Sequence, residues 1–425
     1  MVAHLISDTL GREVCLDELW SGRAKPAELW VPADAGMKAP WTPAGTVEVL
    51  DDWLGHTGGP IGMDRRNFLA VSGATLTAPA WAYVDQLGTR GGSFAALVDG
   101  GRTMTVTSTL VDAIAVITAG IRDLSNAEGG HEDNLRFVHH HLTYVARLLR
   151  QARFPNAVIF DRLLAEWAQL SKHAGWLAHD TGKHGLSQRY LISGLHAAHT
   201  AGDRSVGVSL LACMSSTALY RGRLADGIDL GRVSRDAVEL ANAAYEAARS
   251  TPAAVRALAA TRFALAQAAA GNARGFYAAA DEARALLDTP GALDTRPPCL
   301  ARYGPGILER QLAQGALTLA GVTSRESRNL LDGAEAILGH TTDPASTRHA
   351  VFHAAWLARA HVAAGDLDRA VPAGLTALRR LPTVRSRYCA LVLRRLEADL
   401  AALPPTYRPA AVRSLHDQLR ATRAA

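Results

Sequence analysis

Aromatic residues are scarce in this chain, at 6% of its 425 residues, and charged residues reach only 20%. Hydrophobic residues make up 48%, a share typical of soluble globular proteins. Alanine is abundant instead, for example in the stretch 257–270. Alanine has the highest intrinsic helix propensity, and its small side chain lets two helices approach closely. The composition therefore favours packed α-helices over β-sheets, and we expect an all-α protein.

Cysteine is also rare, with four copies at Cys15, Cys213, Cys299 and Cys389. No two of them form a Cys-x-x-Cys motif, and none lies beside a histidine at zinc-ligand spacing. This pattern argues against a disulfide framework and against a zinc module. We expect reduced, mostly buried thiols in a cytoplasmic protein.

A concentrated patch of basic charge is missing. The formal net charge of +5 is modest for this length, and the densest basic clusters are Arg379–Arg387 and Arg394–Arg395. A nucleic-acid-binding domain usually concentrates its charge on one face. We interpret both clusters as the solvated faces of helices.

Motifs for catalysis and for cofactor binding are absent as well. The glycine pairs at Gly91 and Gly100 are not followed by Lys-Ser/Thr, so they do not form a phosphate-binding loop. There is no Gly-x-Ser-x-Gly nucleophile motif. Acidic pairs such as Asp51-Asp52 show no acid–base arrangement. We therefore expect a protein that is not an enzyme and that needs no cofactor.

The 16 histidines do not follow a metal-binding pattern. His139–His141 are consecutive, so on a helix they point in directions about 100° apart and cannot chelate one metal. His131-Glu132 lacks the His-Glu-x-x-His spacing of zinc proteases. His196 and His199 share one helix face, which permits a two-ligand site but does not require one. We expect no metal site.

The segment Met63–Ala82 resembles a twin-arginine export signal. Arg65 and Arg66 precede an apolar stretch that ends in small residues. However, 62 residues come before it, and its apolar run is too short to span a membrane. We favour an amphipathic helix that packs against the helical body. The alternative is an exported helical-repeat protein that starts near Met63.

Four regions follow from the distribution of proline, glycine and apolar residues. Residues 25–102 are rich in proline and glycine, and proline at this density excludes regular structure from much of the segment. The same segment contains the apolar helix. Apolar residues at helical spacing predict a hairpin of two helices in residues 103–154. Residues 155–425 form a repeat domain, and residues 1–24 remain as a short separate segment.

Turn positions recur through the repeat domain at Gly182, Gly222, Gly271, Val322 and Gly365, at intervals of 40, 49, 51 and 43 residues. A strict tetratricopeptide repeat has a period of about 34 residues. The intervals therefore predict a degenerate tetratricopeptide-like array, an α-solenoid with long loops.

Small residues recur where the two helices of each unit would cross, namely Gly175, Gly194, Ala264, Gly315 and Gly374. A large side chain at these points would force the helices apart. In such solenoids the first helix of each unit lines a groove that binds the partner. The candidate groove residues are Trp176, His179, Tyr220, Arg262, Gln267, Trp356, Arg359 and His361.

Four segments carry a resemblance to a known family, namely Ala39–Leu50, Met63–Leu76, Ala165–Gly207 and Ala358–Val371. The chain resembles the actinobacterial tetratricopeptide-containing transcriptional regulators, which include negative regulators of sporulation and antibiotic production. The resemblance implies an N-terminal helix-turn-helix domain, a proline-rich linker and a helical repeat domain. Residues 1–24 resemble only the end of that helix-turn-helix domain, because no basic recognition helix occurs there.

We therefore expect a cytoplasmic regulatory protein that binds a protein, a peptide or a small molecule in the groove, in transcriptional control. A homodimer is compatible with this expectation, and no membrane association is expected. Nucleic-acid binding is not expected of the chain as given. The alternative is direct DNA binding, if an upstream segment supplies the missing helices; a gel shift at several salt concentrations would detect it.

Overall fold

The computed structural model describes residues 36–55, 70–88, 104–224, 230–322, 327–339 and 347–424. Within these ranges the chain forms sixteen α-helices and no β-strand, apart from one isolated bridge between Thr105 and Arg153. The all-α prediction is confirmed for this part of the chain. The segment 1–24, with Cys15, and the pair Arg65-Arg66 lie outside the described residues.

In chain order the helices are α1 (Pro43–Leu54), α2 (Ala74–Asp85), α3 (Ser108–Ala127), α4 (Glu132–Gln151), α5 (Ala157–Asp180), α6 (His184–Ala201), α7 (Arg204–Leu224), α8 (Leu230–Ala248), α9 (Ala253–Ala269), α10 (Ala273–Leu287), α11 (Pro305–Val322), α12 (Ser327–Leu338), α13 (Thr347–Ala363), α14 (Leu367–Arg380), α15 (Arg387–Ala402) and α16 (Ala410–Ala424). None of these helices has both the length and the apolar character needed to cross a bilayer.

Three of the five predicted turns lie where the sequence places them. Gly182, Gly271 and Gly365 have φ values of 81°, 74° and 76° and separate α5 from α6, α9 from α10, and α13 from α14. Glycine adopts this left-handed conformation without a steric penalty. The turn predicted at Gly222 is wrong, because α7 continues to Leu224. A helical glycine costs only about 1 kcal/mol, so it does not by itself end a helix. Val322 is the last residue of α11.

Consecutive helices pack as pairs: α5 with α6, α7 with α8, α9 with α10, α11 with α12, and α13 with α14. Gly175 of α5 lies at the crossing with α6, its own pair partner, as predicted, whereas Gly315 of α11 lies against α10 of the preceding pair. A Cβ atom on Gly175 would lie 2.7 Å from Leu191 Cγ, and one on Gly315 would lie 2.7 Å from Phe276 Cε2. Real Cβ contacts are longer than this, so only glycine lets these helices approach so closely.

The first helices of the pairs also contact one another, so that α5, α7, α9, α11 and α13 form an inner row. Helix α3 contacts both ends of this row, α5 and α13. At the end of α5, Asp180 accepts hydrogen bonds from Gly130 N (2.6 Å) and from Ser386 Oγ (2.5 Å), just before α15. The inner row is therefore joined end to end through α3 and α15.

Helices α1 and α2 pack on α6 from outside the row. Trp53 of α1 stacks on Tyr190 with ring centroids 4.5 Å apart, and its Nε1 donates a hydrogen bond to Ser193 Oγ (2.9 Å). Tyr83 of α2 is buried against Gly207 of α7. Part of the predicted linker 25–102 is thus built into the helical body.

Candidate functional site

A cavity of about 650 Å³ lies between the helices of the inner row. Its walls come from α3, from the five inner helices, from the start of α15 and from the segment 299–304 that precedes α11. All five first helices of the pairs contribute, because they are the elements that face one another. The volume is within the range of about 300–1,000 Å³ that is usual for small-molecule sites.

Positive charge dominates the lining of this cavity. Six basic side chains line it and, among the described residues, no aspartate or glutamate does. These six are Arg122, Lys172, Arg262, Arg302, Arg310 and Arg348. A cavity with one sign of charge and low-dielectric walls concentrates ions of the opposite sign.

Two of these cations share one carboxylate partner, and the other four have none among the described residues. The Nε atoms of Arg122 and Arg302 each lie 3.3 Å from a carboxylate oxygen of Asp123. In the described ranges, the other four have no carboxylate oxygen within 4.0 Å; they are Lys172, Arg262, Arg310 and Arg348. Arg348 is buried and the other three are partly buried. Burial of a charge without a counter-charge is costly, so these side chains mark a place where an anion would be stabilised.

Hydrogen bonds hold two of these four cations in position. Lys172 Nζ donates to Ser209 Oγ of α7 (3.0 Å). Arg348 Nε donates to the carbonyl oxygen of Ser125 in α3 (3.2 Å), and its guanidinium carbon lies 5.2 Å from the centroid of the Trp176 ring. Both contacts join different helices, so the cations depend on the inner row for their placement.

The titratable groups of the cavity respond to burial and to this positive field. Burial lowers the pKa of Lys172, and the charges of Arg122 and Arg262 lower it further. Burial lowers the pKa of His353 to about 3, with Arg310 and Arg348 adding to the effect. The histidines are therefore neutral near pH 7, and the fixed charge of the cavity comes from lysine and arginine.

Aromatic rings form a continuous wall on one side. Tyr220 of α7 lies 6.2 Å from Trp176, 5.7 Å from Phe352 and 5.5 Å from Tyr388, measured between ring centroids. Phe352 and Tyr388 are 5.2 Å apart. Rings at these separations attract one another. Tyr220 meets Trp176 and Phe352 edge to face, with interplanar angles of 77°, so the rings offer a ligand an apolar surface with ring faces in more than one direction.

Among the described residues, the amide side chains of Gln311 and Gln314 in the cavity also have unsatisfied atoms; in Gln311 this is the amide oxygen. Gln314 of α11 is only 2% exposed, and neither its amide oxygen nor its amide nitrogen meets a hydrogen-bond partner within the described part of the chain. Arg262 Nε and His353 Nδ1 share this condition. Buried polar groups are normally paired, so these groups are available to a ligand.

Three of the predicted groove residues line the cavity, namely Trp176, Tyr220 and Arg262. His179 lies next to it; its ring is 5.7 Å from Trp176 and 5.8 Å from Tyr388, and its Nδ1 is 3.2 Å from Nδ1 of His184.

The other four predicted residues lie elsewhere. Gln267 accepts a hydrogen bond from Asn272 Nδ2 (2.8 Å) at the turn after α9. Trp356 is buried in the C-terminal core, under Arg359, which pairs with Asp399 (2.6 Å). His361 is buried beside Glu335 (3.5 Å). These residues are on the predicted helices, but on faces turned towards neighbouring helices.

Most lining residues were not among the predicted ones, including Lys172, Arg310, Gln314 and Arg348. A signal for them was present in the sequence. Lys172 precedes Trp176, Arg310 precedes Gln314, and Arg348 precedes Phe352, each by four residues. Residues four apart share a helix face. The sequence therefore contains this repeated spacing of a cation and an aromatic or amide side chain on the inner helices. It does not show that these helix faces line a cavity.

Comparisons with protein-family models, with curated proteins and with solved structures find no match to this chain. In the parts of the chain that the structure describes, no group of three or more His, Cys, Asp or Glu side chains could hold a metal ion.

Proposed function

We propose that this protein is a ligand-binding regulator whose tetratricopeptide-like helical array takes a small anionic molecule into the cationic cavity. The observation that carries the proposal is the convergence of Lys172, Arg262, Arg310 and Arg348, four cations without a carboxylate partner among the described residues, on one cavity. In a solenoid the inner helices are the usual binding surface, and here they supply most of the walls.

A small molecule fits this site better than a protein or a folded peptide. The inner row is bridged by α3 and by the contact of Asp180 with Ser386, so the cavity is bounded on that side. Its volume of about 650 Å³ is that of a metabolite site. A protein interface would require roughly 800 Å² of surface on each partner.

The regulatory part of the proposal rests on the resemblance to the tetratricopeptide-containing transcriptional regulators. Ligand binding between the inner helices would change the packing of the array, and the array would pass this change to a partner that controls transcription. In this view the protein acts by binding and carries out no reaction of its own.

The binding proposal is tested with the full chain by equilibrium dialysis against a low-molecular-mass cell extract. Retained molecules are identified by mass spectrometry after the protein is denatured. We expect at least one anionic small molecule to be enriched. Arg262→Gln should weaken its binding about tenfold, because a hydrogen bond to a charged group contributes about 1.5–3 kcal/mol.

Gln267→Ala is the matched control, since Gln267 lies five residues further along α9 and does not line the cavity. Its binding should equal that of the unchanged protein. If no small molecule is enriched, or if Arg262→Gln and Gln267→Ala behave alike, the proposal fails. Transcript levels in cells that carry each variant test the regulatory part: Arg262→Gln should reproduce the effect of deleting the gene.

A further inference from the structure

The chemistry of the cavity is divided between a cationic part and an aromatic part. The cationic part comprises Lys172 of α5, Arg262 of α9 and Arg310 of α11, which line the same cavity. Burial lowers the pKa of Lys172, and the charges of Arg122 and Arg262 lower it further. The aromatic wall comprises Trp176, Tyr220, Phe352 and Tyr388. Along α5, Trp176 follows Lys172 by four residues, so both parts are within reach of one ligand.

The number of unpaired cations indicates how much negative charge the ligand brings. Four positive charges have no carboxylate partner in the described part of the chain. A nucleoside di- or triphosphate carries about three to four negative charges near pH 7. Three of the four cations are arginines, whose planar guanidinium groups bind phosphate oxygens in pairs. A single carboxylate would leave most of this charge uncompensated.

The aromatic wall and Gln314 indicate the chemistry of the uncharged part of the ligand. A nucleotide base stacks favourably on an aromatic side chain, because every base has a π-face. The amide of a glutamine can donate to and accept from the edge of a purine at the same time. Gln314 has both amide atoms unpartnered within the described residues, and it follows the cation Arg310 by one helical turn.

We propose that the ligand is a nucleotide, with its phosphates held by Lys172, Arg262 and Arg310 and its base placed against Trp176 and Tyr220. This inference rests on the proposed function and narrows it to one class of ligand. The cavity of about 650 Å³ admits one such molecule and excludes a nucleic-acid strand.

Isothermal titration calorimetry of the full chain at constant ionic strength distinguishes the contribution of the phosphates to binding from that of the base. The probes are ATP, GTP, inorganic triphosphate and adenosine. We expect at least one of the two nucleotides to bind at least tenfold more tightly than inorganic triphosphate, and adenosine to bind more weakly than either. Inorganic triphosphate should still bind measurably, since it meets the cations alone.

Two variants test which residues bind the phosphates and which bind the base. Arg310→Gln should weaken nucleotide and triphosphate binding about tenfold and leave adenosine unchanged. Tyr220→Leu should lower nucleotide affinity towards that of triphosphate and leave triphosphate unchanged. The matched controls are Arg256→Gln, an exposed arginine of α9, and Tyr277→Leu, an exposed tyrosine of α10. Both should bind as the unchanged protein does, and thermal melting shows whether each variant folds.

The outcomes distinguish this inference from the function on which it rests. If the cell extract yields a bound small molecule but neither nucleotide binds, the nucleotide inference is overturned and the proposed function stands. If inorganic triphosphate binds as tightly as both nucleotides, the base has no site and the inference is overturned. If neither the probes nor any molecule of the extract binds, both proposals are overturned.

Discussion

Gln314 shows at the scale of one residue how the proposed binding site would reduce stability. Its side chain lies inside the inner row, with no partner for its amide among the described residues. An unsatisfied buried polar group costs about 1–3 kcal/mol. An apolar residue of similar size would avoid this cost but could not bind a polar ligand.

We therefore predict that Gln314→Leu raises the free energy of unfolding by about 1 kcal/mol and weakens binding of the retained ligand. Urea unfolding of the ligand-free protein measures the first effect and calorimetry the second. Gln418→Leu, in the exposed surface of α16, should change neither quantity. A lower stability for Gln314→Leu would mean that the amide has an essential structural role.

The buried histidines make stability depend on pH. Burial lowers the pKa of His139 to about 4, and Tyr190 Oη lies 2.7 Å from its Nδ1. In the unfolded chain a histidine has a pKa of about 6.5. Between these two values the unfolded state binds more protons than the folded state, so stability decreases as the pH falls below about 6.5 and levels off near 4.

For His139 alone we expect a loss of about 2 kcal/mol between pH 7.5 and pH 5. Urea unfolding at the two pH values measures it. His139→Gln, whose amide can still reach Tyr190, should reduce the loss by that amount. His140→Gln, at the exposed neighbouring position, should leave it nearly unchanged. Equal losses for the two variants would contradict the assignment.

At the scale of helices, α2 shows what a sequence pattern can and cannot predict. The pattern in Met63–Ala82 predicts a helix packed against the array, and the structure has α2 at Ala74–Asp85, while Arg65 and Arg66 lie outside the described residues. The place where α2 docks depends on Gly207, more than 120 residues further along. Such a distant partner does not show in a local pattern.

Gly207 has no room for a side chain, because a Cβ atom would overlap the hydroxyl group of Tyr83. We predict that Gly207→Ala lowers the free energy of unfolding by about 1–3 kcal/mol, since α2 must shift to relieve the overlap. Gly333→Ala in α12 is the matched control: nothing lies within 4 Å of its Cβ position. It should raise stability by up to about 1 kcal/mol. If both variants change stability in the same direction, α2 does not dock as described.

Helix faces were harder to predict than helix positions. Turns at Gly182, Gly271 and Gly365 follow from glycine and from the repeat spacing. The rotation of each helix does not, because it is fixed by close crossings such as Gly175 against Leu191. This is why Arg262 lines the cavity while Gln267, on the same helix, does not.

At the scale of the whole molecule, the repeat pattern predicts an open groove, whereas contacts between distant segments join the ends of the inner row. Asp180 is 1% exposed and accepts hydrogen bonds from Gly130 and Ser386, the latter 206 residues away in sequence. Arg387 Nη1 also donates to the carbonyl oxygen of Thr181 (3.3 Å). A period along the chain contains no information about such contacts, so the cavity between the joined helices could not be predicted from the sequence.

The contact of Asp180 with Gly130 and Ser386 gives a final prediction. Asp180→Ala removes a carboxylate that holds two donors, which should cost about 3 kcal/mol of stability and weaken ligand binding. Hydrogen–deuterium exchange should rise in residues 104–130 and 384–400 and stay unchanged in 253–287, because α9 and α10 lie away from the contact. Asp288→Ala, at an exposed position after α10, should alter neither region. Uniformly faster exchange along the whole chain would show that Asp180 supports global stability and does not hold the ends of the inner row together.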